Sequence, residues 1–267
     1  MDASIITTSV LCVGGIGCLS AIALAVADKF ISVKEDPRIG QVTDILPGAN
    51  CGGCGFAGCA DYAKAIVQGK AEPNHCAPGG AAVAAAIAEC LGMKAEAVEK
   101  KVAIVLCSGD NEAAVRRFRY NGITDCAAAN ATAGGDKGCT YGCLGYGTCA
   151  RVCPVSAISI VNGIAKVDPN RCIGCGKCTT VCPRKIIHLV PASEKIHILC
   201  SSKEKGPAVR KVCSKGCLGC RLCTKFADEG SIVMDGFLAT RDYTHPLTNE
   251  EVVAKCPGHC ITNTKEA

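Results

Sequence analysis

The first long apolar stretch of the chain runs from Ile5 to Ala27 and contains no charged residue and no proline. A helix over this stretch is about 35 Å long at 1.5 Å per residue, enough to cross a hydrocarbon layer of about 30 Å. Lys29, Lys34 and Arg38 follow the stretch, whereas only Asp2 precedes it. By the positive-inside rule, the pattern predicts a transmembrane helix with the body of the protein in the cytoplasm.

A cleaved signal peptide is the alternative for this stretch, because Ala25-Val26-Ala27 has the A-x-A form of a cleavage site. No lysine or arginine precedes the stretch, and it is longer than the apolar core of a typical signal. The pattern therefore favours an uncleaved anchor over residues 1–30. Cys12 and Cys18 fall inside the predicted bilayer, where they are poor candidates for metal ligands.

The apolar segments beyond the anchor are short. We expect helices at Asp61–Val67, Ala81–Leu91 and Asn111–Phe118, with Gly92 ending the second of them. The run Val102–Leu106 is β-branched and apolar, and it predicts a buried strand. These elements are too small to form one large core.

Two hairpins are predicted in the second half of the chain. Ile158–Val161 and Ile164–Val167 flank Asn162-Gly163, which is a strong signal for a two-residue turn. The same order of strand, turn and strand recurs further on, at Ser231–Met234, Asp235-Gly236 and Phe237–Thr240. The recurrence indicates an internal repeat.

Cysteine is the residue that changes this picture, since the chain has 24 of them among 267 residues. In a short secreted chain such a density indicates a disulfide scaffold. This chain is neither short nor obviously secreted, and clustered cysteines in a reducing compartment are typical of metal binding. Tryptophan is absent and aromatic residues make up 4% of the chain, so something other than apolar burial is expected to help hold the fold.

The formal net charge is 29 − 24 = +5, which raises the question of nucleic-acid binding. That count treats every cysteine as neutral, although an oxidised [4Fe–4S] cluster with four thiolates carries about −2. A few such clusters would cancel the surplus. No basic block is interleaved with aromatic residues, so we expect no nucleic-acid partner.

The first cysteine group lies in the stretch "NCGGCGFAGC", followed by a more distant fourth cysteine. Glycine and alanine between the ligands let the backbone fold tightly around a cluster and direct its amides at the sulfides. A redox pair would use two of the thiols, and zinc modules usually space their ligands as two separated pairs. Three close ligands and a remote one favour a [4Fe–4S] cluster held by Cys51, Cys54, Cys59 and Cys76.

The second group contains the full bacterial ferredoxin run, in which Pro183 follows the last of four cysteines at C-x2-C-x2-C-x3-C-P spacing. In two-cluster ferredoxins the fourth cysteine of each run ligates the other cluster. An irregular second run precedes it, with Tyr146 where the middle cysteine of the triplet is expected and Cys139 upstream as the replacement ligand. The predicted ligand sets are Cys139, Cys143, Cys149 and Cys182 for one cluster, and Cys153, Cys172, Cys175 and Cys178 for the other.

A third, degenerate copy follows. Ala227 stands where the preceding copy has Cys153, and Arg241–Val253 contains no cysteine triplet. The missing residues are the ligands of one cluster, and those that remain are the ligands of the other. We therefore expect a fourth [4Fe–4S] cluster, held by Cys217, Cys220, Cys223 and Cys256.

The remaining cysteines have no ligand-like neighbours in the sequence. Cys90, Cys107 and Cys126 are interpreted as small buried hydrophobic residues, and Cys200 as structural. Cys213 and Cys260 flank the last ligand set, and Cys213 is the better alternative ligand.

The predicted fold class is α+β, with five segments along the chain. A single transmembrane helix is followed by a small α-rich four-cysteine domain and then by two ferredoxin-like modules, the second degenerate. The boundaries are residues 1–30 for the anchor, 31–98 for the four-cysteine domain, 99–136 for a connecting region, 137–192 for the two-cluster domain and 193–267 for the degenerate module.

This order resembles the B subunit of the Rnf complexes, membrane-bound ion-translocating oxidoreductases. The resemblance covers nearly the whole chain and depends on the anchor, "NCGGCGFAGCADYA", "GCTYGCLGYGTCARVCP" and "RCIGCGKCTTVCP". It implies that electrons pass through the clusters between ferredoxin, or another low-potential donor, and NAD or a quinone-type acceptor. It further implies that other membrane subunits carry the flavins and move Na⁺ or H⁺.

No nucleophile–base pair, P-loop or dinucleotide fingerprint is present, so the chain is expected to carry electrons as part of a redox-driven translocase without a catalytic site of its own. One alternative is a protein in which zinc or iron only stabilises the fold. Another is an iron–sulfur subunit of a hydrogenase or a carbon monoxide dehydrogenase system. The anchor argues against a soluble enzyme of that kind.

Overall fold

The structure is a computed structural model that describes residues 3–31, 36–93 and 99–264. Asp2 and Lys34, which enter the prediction of sidedness, lie outside the described residues. Helix α1 (Ala3–Ile31) contains an uncharged window from Val10 to Ala27 with a mean hydropathy of 2.4 and no burial against the rest of the chain. This helix is long and apolar enough to cross a membrane.

Three short helices form the four-cysteine domain: α2 (Pro37–Ile45), α3 (Cys59–Val67) and α4 (Gly80–Leu91). Asp36 caps α2 by accepting a hydrogen bond from the amide of Arg38, and Gly92 ends α4 with a φ of 65°. The predicted α3 and α4 are confirmed, although α3 begins two residues earlier than expected. Their apolar faces meet in a small core, which includes Val42, Tyr62, Ile66 and Ile87.

The first ferredoxin-like module contains two antiparallel strand pairs. Strand β1 (Lys101–Val105) pairs with β4 (Ile187–Pro191), and β2 (Ile158–Val161) forms the predicted hairpin with β3 (Ile164–Val167). Three helices complete the module: α5 (Cys126–Ala131), α6 (Thr148–Arg151) and α7 (Lys177–Val181). Since β1 and α5 come from residues 99–136, the segment predicted as a connector is an integral part of the module.

The predicted helix at Asn111–Phe118 is wrong. The structure has turns and isolated bridges there, because this backbone pairs with more distant segments. The amide of Val115 donates to the carbonyl of Val212, and that of Arg117 donates to the carbonyl of Asp136. Tertiary hydrogen bonds therefore outweigh the local helical pattern.

The second module repeats the order of the first. Strand β5 (Ile196–Ile198) pairs with β8 (Ile261–Asn263), and β6 (Ile232–Asp235) forms a hairpin with β7 (Leu238–Arg241). Its helices are α8 (Gly206–Val212), α9 (Cys223–Phe226) and α10 (Glu251–Ala254). The turn comprises Gly236 and Phe237, one residue later than predicted, because the positive φ of Gly236 (62°) suits the first central position of the turn.

Candidate iron–sulfur sites

Site 1 is a cavity lined by Cys51, Cys54, Cys59 and Cys76. Gly52 and Gly55 adopt φ values of 71° and 89°, which only glycine tolerates readily and which turn the loop around the cavity. The side chain of Asn50 accepts a hydrogen bond from the amide of Cys59 at 2.8 Å, which closes the loop. The structure thus brings together the first predicted ligand set.

The fourth cysteine of site 1 is positioned by a buried tyrosine. The hydroxyl of Tyr62 donates to the carbonyl of Glu72 at 2.7 Å and accepts from the amide of His75 at 3.0 Å. Tyr62 lies on α3, which begins at the third cysteine of the site. This side chain therefore fixes the approach of Cys76 to the loop that carries the other three.

Site 2 is lined by Cys153, Cys172, Cys175 and Cys178, as predicted for the crossed ferredoxin arrangement. Two main-chain amides point at its sulfurs, from Ala103 to Cys172 at 3.4 Å and from Ala157 to Cys153 at 3.2 Å. Amide hydrogen bonds to ligand sulfurs stabilise the thiolate and tune cluster potential. Strand β1 provides the first of these amides, so its pairing with β4 has a direct role in the site.

Site 3 contains Cys143, Cys149 and Cys182, together with a fourth cysteine that differs from the prediction. That residue is Cys126, at the start of α5, and Cys139 is absent from this cavity. The hydroxyl of Thr148 accepts a hydrogen bond from the amide of Cys126 at 2.7 Å, which holds the start of α5 beside α6. The interpretation of Cys126 as a small buried hydrophobic residue is therefore wrong, since it lines the cavity and is half-buried.

Tyr146, at the position of the missing triplet cysteine, has other partners. Its ring packs edge-on against Tyr120 with centroids 5.2 Å apart, and its carbonyl accepts from Arg151 at 3.0 Å. The tyrosine side chain is consequently directed to the neighbouring ring, and the cavity is completed by Cys126.

Site 4 is lined by Cys217, Cys220, Cys223 and Cys256, the last predicted set, and by Cys260. The amide of Ala239 donates to the sulfur of Cys217 at 3.4 Å, and the sulfur of Cys260 lies 3.8 Å from that of Cys256. Hydrogen bonding with Cys260 lowers the pKa of Cys217 to about 6 and that of Cys256 to about 5. Either sulfur of the Cys256–Cys260 pair can be the donor. Cys220 is exposed.

Cys139 lines a separate cavity between the two modules, which we call the junction cavity. It shares this cavity with three other cysteines, Cys107, Cys200 and Cys213. The first two were interpreted as buried or structural, and Cys213 as a spare for site 4. The cysteines outside all five cavities are Cys12 and Cys18 on α1 and Cys90, which is exposed and not buried as expected.

The donor set fits a cubane cluster better than a single ion. Among the described residues, no group of three or more histidine, cysteine or acidic side chains is arranged to hold one metal ion. Zinc bound at about 2.3 Å requires sulfurs only about 3.8 Å apart, whereas four iron atoms at the corners of a cube accept donors that are more widely spaced. Four cysteines around each cavity provide the number of thiolates that a [4Fe–4S] cluster needs.

Burial raises the pKa of several of these thiols. Loss of solvation raises the pKa of Cys149 to about 12 and the pKa values of Cys178 and Cys223 to about 11. Without a counter-charge such thiols stay protonated at neutral pH. A bound cluster would displace these protons, and its iron cations would supply the missing stabilisation.

Neighbouring sites lie against each other. A Cβ on Gly53, in the loop of site 1, would come within 2.8 Å of the carbonyl oxygen of Cys175 in site 2. In the next pair, Cys178 of site 2 and Cys149 of site 3 are close enough to interact electrostatically. Sites 1, 2 and 3 therefore lie next to one another in that order.

Comparison with known proteins agrees with this picture. A family model for a putative Fe–S cluster matches residues 46–78, and one for a 4Fe–4S binding domain matches residues 164–187. The B subunit of the Na⁺-translocating ferredoxin:NAD⁺ oxidoreductase complex of Acetobacterium woodii is 43% identical over 95% of this chain and 76% of its own length. The chain belongs to the B-subunit family of Rnf-type ion-translocating oxidoreductase complexes.

Two further relatives extend over almost the whole chain. The B subunit of the ion-translocating oxidoreductase complex of Methanosarcina acetivorans is 42% identical over 97% of this chain and 98% of its own length. The B subunit of the proton-translocating ferredoxin:NAD⁺ oxidoreductase complex of Clostridium ljungdahlii is 44% identical over 92% of this chain and 88% of its own length. As a member of this Rnf family with ferredoxin-type domains, the chain is an electron-transfer subunit of a multi-subunit redox complex.

Proposed function

We propose that this chain relays low-potential electrons through [4Fe–4S] clusters, one at each of sites 1 to 4, between ferredoxin or a similar donor and the other subunits. Each cluster supplies one-electron redox chemistry. The chain supplies the cysteine ligands, the amide donors that set the potentials and the buried surroundings that exclude water. Helix α1 tethers the relay to the membrane, with the cluster-bearing residues on the cytoplasmic side.

The observation that carries this proposal is the crossed pairing of sites 2 and 3. Cys153 follows the cysteines of site 3 in the chain but lines site 2, whereas Cys182 follows those of site 2 but lines site 3. Such an exchange brings two clusters close together. A protein that used metal only to stabilise its fold would gain nothing from this proximity, whereas electron transfer requires it.

The reactions that this chain does not carry out belong to partner subunits in this proposal. Flavin and nicotinamide reactions, and movement of Na⁺ or H⁺, belong in this proposal to other membrane subunits that receive electrons from the relay. Cys220 of site 4 is exposed, unlike the ligand cysteines of sites 2 and 3, so we expect exchange with a soluble donor at that end. The chain itself would convert no substrate.

Anaerobic purification of the full chain from membranes tests the proposal. We expect a brown protein whose thiolate-to-iron absorption is lost on addition of dithionite, together with flavin-bearing membrane subunits in the same preparation. A colourless, zinc-containing protein would favour a purely structural metal. Copurification with hydrogenase or carbon monoxide dehydrogenase subunits would favour the other alternative.

A further inference from the structure

The junction cavity has the same composition as the four sites already described. Four cysteines line it, and the space around it, including adjoining solvent, is about 390 Å³, compared with about 330 to 350 Å³ at sites 2, 3 and 4. The four sites of the relay proposed above do not include these cysteines. Their grouping therefore needs its own explanation.

The two modules contribute equivalent pairs of cysteines to the cavity. Cys107 follows β1 at the same distance as Cys200 follows β5, and each is the centre of an identical Leu-Cys-Ser tripeptide. Cys139 stands four residues before Cys143, and Cys213 stands four residues before the equivalent Cys217. Equivalent positions of the two modules thus supply all four cysteines. Free thiols placed at random would not show this correspondence.

The cysteine of each Leu-Cys-Ser tripeptide accepts a hydrogen bond from a main-chain amide. The amide of Cys143 donates to the sulfur of Cys107 at 3.3 Å, and the amide of the equivalent Cys217 donates to Cys200. This is the amide-to-sulfur contact that sites 2 and 4 also have. The donors are themselves cysteines of sites 3 and 4, so the junction cavity lies between those two sites.

Reciprocal hydrogen bonds hold the cavity rigid. The hydroxyl of Ser108 donates to the carbonyl of Leu199 at 3.2 Å, and that of Ser201 donates to the carbonyl of Leu106 at 2.9 Å. On the other side, Cys213 forms an antiparallel bridge with Ala114. Each of the two modules therefore fixes cysteines of the other, as pre-organised metal sites require.

The walls are free of bulky side chains where a cluster would lie. A Cβ on Gly142 would come within 3.6 Å of the sulfurs of both Cys107 and Cys139, and one on Gly109 within 3.3 Å of the sulfur of Cys213. Lys137 also lines the cavity, is 1% exposed, and donates through Nζ to the carbonyls of Gly109 and Gly163 at 2.7 and 3.0 Å. This buried cation offsets negative charge from bound thiolates.

We propose that the junction cavity binds a fifth [4Fe–4S] cluster, with Cys107, Cys139, Cys200 and Cys213 as its ligands, and that this cluster connects site 3 to site 4. The inference rests on the proposed relay, because only a chain that assembles clusters elsewhere would fill this cavity. One electron arrives from a reduced neighbouring cluster and leaves to the next. No bond forms or breaks and no proton moves.

Iron and sulfide analysis of the anaerobically isolated full chain tests the proposal. The wild type is expected to contain about 20 iron atoms, and the Cys107→Ser/Cys200→Ser variant about 16, at four per cluster. Cys90→Ser, which removes a cysteine outside every cavity, is the matched control and is expected to retain the wild-type content. Electron paramagnetic resonance of the reduced protein should show one fewer signal in the double variant only.

Equal iron in the wild type and the double variant, near 16 atoms in both, would overturn the fifth cluster and leave the four-cluster relay intact. Iron-free protein would overturn the relay and the inference together. If the double variant fails to fold, the wild-type count still decides, because about 20 and about 16 atoms are separable. Recovery of Cys107–Cys139 or Cys200–Cys213 disulfides from the anaerobic wild type would also contradict the proposal.

Discussion

The two ferredoxin-like modules complete their cysteine-lined cavities with residues from different places in the chain. In the second module Cys220 occupies the middle position of the triplet, and the triplet together with Cys256 supplies the four cysteines predicted for site 4. In the first, Tyr146 occupies the equivalent position and site 3 is completed by Cys126. The stretch from Cys107 to Cys139 is longer than that from Cys200 to Cys213, and the extra residues include α5, which carries Cys126.

A cavity of the same kind can therefore be completed by a cysteine from outside the triplet, here from α5. The cavity, its amide donors and its hairpin are shared by both modules, whereas the origin of one ligand differs. The amide of Ala165 donates to Cys143 as that of Ala239 does to Cys217. What the repeat preserves is the geometry of the site.

The largest expected effect comes from the replaced ligand. Cys126→Ser should remove about four iron atoms, because it takes the fourth ligand from site 3, and it should reduce electron transfer through the chain to background. Adding Tyr146→Cys to this variant should restore the iron, since the new thiol stands where Cys220 stands in the second module. Iron analysis and the rate of dithionite-dependent acceptor reduction measure both outcomes.

The Cys139→Ser variant tests whether Cys126, which lines the cavity, or Cys139, which the sequence spacing suggests, is the fourth ligand of site 3. Cys139 lies outside the cavity of site 3, so its loss should leave the paramagnetic resonance signal of the site 3 cluster in place. Retention of that signal in Cys139→Ser supports Cys126 as the ligand, and its loss contradicts that assignment.

Removal of a ligand from the second module should have a more local effect. Cys220→Ser is expected to lose about four iron atoms from site 4 while sites 1 to 3 keep theirs, because those sites share no ligand with site 4. Cys260→Ser is the matched control and should keep the iron, since Cys260 lies outside the predicted ligand set and a serine hydroxyl can keep the hydrogen bond to Cys256. Equal losses in the two variants would show that Cys260 is a ligand.

Gly145 and Gly219 occupy equivalent positions of the two modules, so substituting each of them compares the effect on stability of the chain. A Cβ on Gly145 would lie 2.2 Å from the carbonyl oxygen of Gly163, and one on Gly219 would lie 2.8 Å from that of Phe237, both at positive φ. Gly145→Ala should therefore lower the free energy of unfolding by about 2 kcal/mol or more, and Gly219→Ala by less. Denaturant unfolding of the cluster-loaded chain tests the order, and a larger effect at Gly219 would contradict it.

The smallest expected effect is a pH dependence confined to the second module. His197 on β5 is buried, and its ring contacts Tyr243 at 2.9 Å with Arg241 and Glu194 nearby. Burial lowers the pKa of His197 to about 4, so below its unfolded pKa of about 6.5 the unfolded chain binds the proton that the folded chain excludes. Stability should fall by about 1 kcal/mol between about pH 7 and pH 5.5.

Ile104 occupies the matching place on β1, so His197→Ile tests this dependence directly. The variant should lose the slope between about pH 7 and pH 5.5 while the first module is unchanged. Thermal unfolding at several pH values, with cluster absorbance as a second signal, measures it. An unchanged slope would assign the dependence to other groups.

The grouping of several cysteines was predictable because those residues are close in the chain. Cys51, Cys54 and Cys59 lie on one loop, and the regular run from Cys172 to Cys182 has a spacing that only a few folds use. The crossed roles of Cys153 and Cys182 followed from that spacing, and the structure places both as expected. The hairpin at Asn162-Gly163 was predictable from the turn alone.

Other features depended on contacts between distant segments. Nothing local marks Cys126, which reaches site 3 because Thr148 and Asp125 hold α5 against α6. Cys107 and Cys200 carry one overlooked signal, the repeated Leu-Cys-Ser tripeptide, but their meeting requires the two modules to pack.

The residue pattern was enough to indicate an apolar N-terminal helix, an α+β fold and groups of cysteines, because short spacings constrain the backbone to place neighbouring cysteines together. Cysteines that are far apart in the chain share a cavity only because the modules pack against each other. Hydrogen bonds between the modules, such as those of Ser108 and Ser201, set the positions of Cys107 and Cys200, and no local sequence pattern marks these bonds. Cys139 belongs with these residues for the same reason.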